Sequence, residues 1–180
     1  IGAFVSEMPA HGAAPGQIRK VAIDMSKAYI KGVAEHLPGA EISFDHFHVM
    51  QLCGKACDQV RKDVARRVGG LPKGALWSLR GNRDRLTEAA AAQRDELCRQ
   101  YSEIGRALAM REYLQDAWRY TNADDAREHL EHFCSWAQRS RLQPFVKLGR
   151  TIRKHMEGIL GYYPDYLTSA MIEAVNGTIQ

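Results

Sequence analysis

No run in the 180 residues approaches the roughly 20 consecutive apolar residues that a membrane helix needs, so a membrane span is not expected. Cysteine is sparse, and Cys53, Cys57, Cys98 and Cys134 contain no C-x-x-C pair. That argues against a zinc ribbon or a disulfide framework and fits a reducing cytoplasm. Cys53 and Cys57, one helical turn apart, read as small half-buried helix residues rather than as a metal site. Proline and glycine number 6 and 15, too few for a fibrous or disordered chain, and no internal repeat is present. The opening "IGAFVSEMPAHGAAPGQ" lacks an initiator Met and the basic-then-apolar plan of a signal peptide. It reads as a cut inside a longer chain, with residues 1–17 as a loop or tail.

What remains is a chain with 45% hydrophobic and 26% charged residues, long enough for one domain or for a core with an insert. Its net charge of +4 hides a segregation. Residues 51–155 carry 21 Lys and Arg against 13 Asp and Glu, a net +8, while the flanks carry 4 against 8, a net −4. Acidic flanks around a basic middle suit metal-binding carboxylates beside a segment that meets a polyanion. A solvated, arginine-rich helical surface is the plainer explanation of the same numbers.

Apolar spacing orders the elements. Val21, Ala22 and Ile23 form a short run typical of a strand buried on both faces, ending at Asp24. "SKAYIKGVAEHLPGA" follows with helical spacing, Ser26 as N-cap, and Pro38 and Gly39 as its stop. A second strand, "EISFD", ends at Asp45, so the unit reads as strand, helix, parallel strand. Ligand crevices in such sheets lie at the carboxyl ends of the strands, where both aspartates fall. From about residue 47 the pattern is helical, with helices expected at 47–68, 75–80, 87–99, 100–117, 123–140 and 143–161. Thr87, Asn122 and Pro144 mark entries. After the break "GYYPDY", "LTSAMIEAVNGTIQ" reads as a last helix bearing Glu173, with Asn176 and Gly177 on the same face. Trp77, Trp118 and Trp136 read as core of the helical region rather than as base-stacking platforms.

Carboxylates at strand ends and on a neighbouring helix can hold two divalent ions for in-line attack on a phosphodiester, and hard oxygen ligands select Mg²⁺ or Mn²⁺. Asp24 and Glu173 are the candidates. For phosphate contacts the densest cations are Arg61, Lys62, Arg66 and Arg67, joined by Arg80, Arg83 and Arg85. Asn176 adds a possible amide donor to DNA.

The segments "VAIDMSKAYIKGVAEHLPGAEISFDHFHVMQL", "VRKDVARR", "WSLRGNRDRLTE", "TIRKHMEGILGYY" and "LTSAMIEAVNGTIQ" resemble, in order and spacing, the DDE transposases of bacterial insertion sequences in the ISL3 group, over residues 18–180. The resemblance implies an α/β, mainly α chain. Part of a ribonuclease H-like core, two parallel strands plus helices, would occupy 18–50, a large α-helical insertion 51–160, and the final core helix 161–180. By position Asp24 resembles the family's second catalytic Asp and Glu173 its final Glu. The first Asp would lie before Ile1, so the isolated chain is expected to be inactive. "FDHFHV" matches the D-x-x-H motif of related transposases, pairing Asp45 with His48 and leaving His46 aside; Asp45 capping the following helix is the structural alternative. The resemblance further implies Mg²⁺ (or Mn²⁺) as cofactor, transposon-end and target DNA as partners, homo-oligomers and a bacterial cytoplasmic location. A non-catalytic helical DNA-binding or interaction module, the remnant of a decayed element, is the rival expectation.

Overall fold

The computed structural model describes residues 1–163. Strands β1 (Lys20–Ile23) and β2 (Glu41–Phe44) pair in parallel, Lys20 opposite Glu41 through Ile23 opposite Phe44. Helix α2 (Lys27–His36) connects them, which is the crossover unit the sequence predicts. Ser26 stands at the cap, but its hydroxyl makes no capping bond. Its backbone N–H instead donates to Asp24 Oδ1 at 2.8 Å.

Residues 1–17, expected to be a loop or tail, form helix α1 (Gly2–Glu7) and two 3-10 turns. The prolines that argue for a loop begin only at Pro9, and the proline-free stretch before them packs on α2. A methyl group on Gly32 would lie 3.3 Å from Ile1 Cβ, so glycine there admits the Ile1 side chain.

Helix α3 (His46–Val68) follows β2 directly. Six more helices complete the described residues: α4 (Ala75–Arg80), α5 (Glu88–Gln100), α6 (Ser102–Asp116), α7 (Ala123–Arg139), α8 (Gln143–Lys154) and α9 (Met156–Leu160). Two of the expected entries are capped by side chains, Thr87 Oγ1 accepting from Ala90 N and Asn122 Oδ1 from Asp125 N. The run expected as one helix over 143–161 breaks at His155, whose φ of −110° and ψ of 18° leave the helical region. The break lets α9 lie on β2. Gly158 faces the Phe44 ring, and a methyl group on Gly161 would sit 3.2 Å from the Ile42 carbonyl oxygen. The described chain is thus mostly helical with one small parallel sheet. Among the described residues no helix is long and apolar enough to cross a membrane.

The chain divides into two compact units. The first comprises Ile1–Val49, Tyr120–Arg127 and the residues from His155 onward. Within it Arg127 forks onto both oxygens of Glu157 at 2.8 Å, and this contact holds the Glu157 carboxyl below its ordinary range. The second comprises Met50–Arg119 and Glu128–Lys154. One of its apolar clusters gathers Val64, Ala75, Leu79, Leu97, Ile104 and Leu108. Trp77 is not part of this core, contrary to expectation. It is 72% exposed, because α4 turns Ala75, Ser78 and Leu79 inward and position 77 falls on the opposite side of the helix. Trp118 and Trp136 are half-buried.

Candidate functional site

The sheet register sets the first group. Ile23 and Phe44 are partners, and Asp45 N–H donates to Ile23 O at 3.3 Å. Asp24 and Asp45 are therefore neighbours at the carboxyl end of the sheet, on strands about 4.8 Å apart. Both make the same local turn. Asp24 Oδ1 accepts from Ser26 N at 2.8 Å, and Asp45 Oδ1 accepts from Phe47 N at 2.9 Å. A carboxylate bonded two residues along its own backbone is a turn former. The same bond fixes its direction, which is also what a ligand or a proton acceptor needs. Asp45 is only 3% exposed and Asp24 half-buried.

Two histidines follow Asp45, and they divide its atoms between them. His48, in the first turn of α3, donates its backbone N–H to Asp45 O at 3.1 Å. The imidazole beside the carboxylate belongs to His46, with Nδ1 3.7 Å from Asp45 Oδ1. Its ring lies 4.1 Å from that of Phe47 and 5.1 Å from that of Tyr162. Burial among these rings pushes the His46 pKa down, against the upward pull of Asp45. The neutral imidazole is favoured. Motif spacing singles out His48, whereas the ring nearer the carboxylate is that of His46, the residue next to Asp45 in the chain.

The expected phosphate-binding cations fall into two classes. Arg61 and Lys62 both reach Asp58 at 2.9 Å, Arg66 reaches Asp63 at 2.9 Å, and Arg67 reaches Glu103 at 2.7 Å. Arg83 pairs with Asp95. Arg80 and Arg85 form no ion pair among the described residues. The segment that carries Arg80, Arg83 and Arg85 is held from beneath by two buried arginines. Arg111 donates to the carbonyls of Leu79, Arg80 and Gly81 at 3.0–3.1 Å, and Arg94 donates to Gly81 O at 2.9 Å and to Glu112. These bonds satisfy carbonyls left without partners at the end of α4.

A family model described as transposase, for the ISL3 group of DDE elements, matches residues 1–180. The chain belongs to the ISL3 family of DDE transposases. It is 31% identical, over 99% of its length, to the transposase for insertion sequence element IS1001 of Bordetella parapertussis, covering 45% of that protein. It is 27% identical, over its whole length, to the transposase for IS1557 of Mycobacterium tuberculosis, covering 46% of it. The chain spans a little under half the length of these curated relatives. No solved structure matches it.

Of the positions that resemble the transposase family's site, Asp24, Asp45 and His48 are described, and Glu173 and Asn176 lie outside the described residues. Among the described residues no three His, Cys, Asp or Glu converge to hold a metal ion. Asp24 and Asp45 offer the hard oxygens Mg²⁺ or Mn²⁺ prefers, but not in sufficient number. In this transposase segment Cys53 is buried and Cys57 half-buried. A hydrogen bond from Cys53, helped by the Arg111 charge, holds the Cys57 thiol below its ordinary pKa despite burial. Cys57 borders a cleft of about 450 Å³ whose walls include Leu79, Ile104, Leu108 and Arg111.

Proposed function

We propose that this chain forms part of the catalytic region of an insertion-sequence transposase, with a ribonuclease H-like core interrupted by a helical insertion. In the complete enzyme, water would hydrolyse the phosphodiester at a transposon end, and the released 3′ hydroxyl would then attack target DNA. No covalent enzyme intermediate is involved. The observation that carries this reading is the side-by-side placement of Asp24 and Asp45 at the ends of two parallel strands, in a chain matched to the family over its whole length. Asp24 and Glu173 would supply carboxylate oxygens to Mg²⁺ or Mn²⁺, and the metal when bound would serve to activate the attacking oxygen and stabilise the leaving one. Asp45 fixes the start of α3, with the His46 ring at its carboxylate and His48 in the first helical turn. The cations from Arg61 to Arg85, with Asn176, would contact DNA. Assembly on paired ends would bring copies of the chain together.

The test is Mn²⁺-dependent nicking of a transposon end by a full-length transposase carrying this segment. Asp24→Asn keeps an oxygen for the Ser26 N–H, so it removes charge without removing the turn. Asp24→Asn and Glu173→Gln should each lower the rate ~100-fold or more, a loss of about 2.7 kcal/mol of transition-state stabilisation. Wild-type rates in both folded variants would end the catalytic assignment. DNA binding by the wild type without any cleavage would favour the non-catalytic module.

A further inference from the structure

From His132 to Met156 the sequence contains six Lys and Arg and not one Asp or Glu. Arg139, Arg141, Lys147, Arg150, Arg153 and Lys154 are all exposed, and none forms an ion pair among the described residues. Four of them lie on α8. At 100° per residue Lys147, Arg150, Arg153 and Lys154 fall within an arc of about 120°. The opposite side of the helix buries Phe145, Leu148, Gly149 and Ile152, while Val146, in the first turn, is the one buried residue of α8 on the cationic side. That side is anchored to α7: Cys134 Sγ donates to Gly149 O at 3.3 Å, and a methyl group on Gly149 would sit 2.9 Å from Ala137 Cβ. The close approach fixes the rotation of α8 about its axis and so fixes which side faces outward.

Resting on the transposase reading above, we propose that this side of α8 is a binding surface for the phosphate backbone of duplex DNA, with Lys147, Arg150 and Lys154 as its contacts and Arg153 at its edge. Charge compensation separates it from the cations of α3. Arg61, Lys62, Arg66 and Arg67 each sit on a carboxylate of this same chain, which a phosphate must displace. The α8 cations have no such competitor among the described residues. Lys147 and Lys154 are about 10.5 Å apart along the axis, since each residue rises 1.5 Å. A DNA strand carries a phosphate every 3.4 Å of its axis, so the stripe spans about three. A groove between α8 and α3, lined largely by apolar side chains such as Leu52 and Leu148 and bordered by Lys147, Lys55 and Asp63, runs beside this surface.

The experiment is fluorescence anisotropy of a labelled duplex with the purified 180-residue chain, read as log affinity against log salt. Three lost phosphate contacts should flatten the slope by about 2.7 in Lys147→Gln/Arg150→Gln/Lys154→Gln. Between about 50 and about 200 mM salt, the wild type should then lose ~40-fold more affinity than the variant. The comparison variant Arg61→Gln/Lys62→Gln/Arg66→Gln should change the slope by less than about 1. Thermal melts establish that each variant is folded, as expected for exposed positions. An unchanged slope in the α8 variant, a larger change in the comparison variant, or a wild type that does not bind duplex each overturns the proposal. The catalytic reading fails separately: it stands if nicking depends on Asp24 while the α8 slope is unchanged, and it falls if the slope drops while Asp24→Asn cleaves normally.

Discussion

Gly158→Ala should destabilise the protein although alanine is the better helix former. Gly158 lies in α9 with its backbone against Phe44, which is only 4% exposed. A methyl group there would come within 2.5 Å of Phe44 Cδ2 and closer still to Cε2. Carbon atoms in good contact stand roughly 3.5–4.0 Å apart, so the overlap exceeds 1 Å. An aromatic ring cannot bend away as the end of a flexible chain can. Overpacking of this kind costs ~3 kcal/mol at the upper end of its usual range. Replacing glycine by alanine inside a helix returns ~1 kcal/mol. The net expectation is a loss of about 2 kcal/mol, read from the urea midpoint at constant slope. Phe44→Leu removes the ring edge, and as a near volume-conserving change it should cost ~1 kcal/mol alone. In the double variant the two losses should not add, and the shortfall of ~1–2 kcal/mol measures the contact directly. Phe44 immediately precedes Asp45, so the single variant should also disturb the Asp45–Phe47 turn. Equal or higher stability of Gly158→Ala would refute this packing, as would simple additivity in the double variant.

Other outcomes follow from single contacts. Arg111→Met removes the side-chain donor to the Leu79 and Arg80 carbonyls and one of the two donors to Gly81 O, and should cost ~2 kcal/mol in urea unfolding, with Arg111→Lys recovering less than half because a point ammonium cannot reproduce the fork. A change below about 0.5 kcal/mol would show that the three bonds contribute little to stability. Burial pushes the Asp58 carboxyl up, but its contacts with Lys62 and Arg61 outweigh that and leave it below the ordinary carboxylate pKa. A lowered folded value means stability present above the unfolded pKa of ~3.9 and lost as pH falls through the folded value. Asp58→Asn should therefore be less stable than wild type near pH ~6, with the gap closing on acidification below about pH 4. A gap independent of pH would contradict the assignment.

Local signals explain why much of the fold was readable. Val21–Ile23 and "EISFD" are short apolar runs bounded by breakers, and α3 declares itself by apolar residues at helical spacing over six turns. The run 143–161 misled because its apolar spacing continues through the His155 break. What interrupts it is the demand that Gly158 lie on Phe44, more than a hundred residues earlier. Trp77 misled for a different reason. A tryptophan is usually buried, and only the placement of Ala75, Ser78 and Leu79 against their neighbours turns position 77 outward.

The site divides in the same way. That Asp24 and Asp45 terminate strands was legible; that they stand side by side was a matter of register, which pairs Ile23 with Phe44. Cation density singles out Arg61–Arg67, whereas the acid-free segment containing α8 is equally visible in the sequence. Its significance emerges only beside the partners of the other cations, some of them distant, as Glu103 is from Arg67 and Asp95 from Arg83. By itself, then, the sequence determined the order of elements, the aspartates at the strand ends, the segregation of charge and the family, because each resides in neighbouring residues or in their order. The tertiary structure decided which distant carboxylates neutralise Arg67 and Arg83 and where α8 and α9 part, because those depend on side chains that only folding brings within a few ångströms.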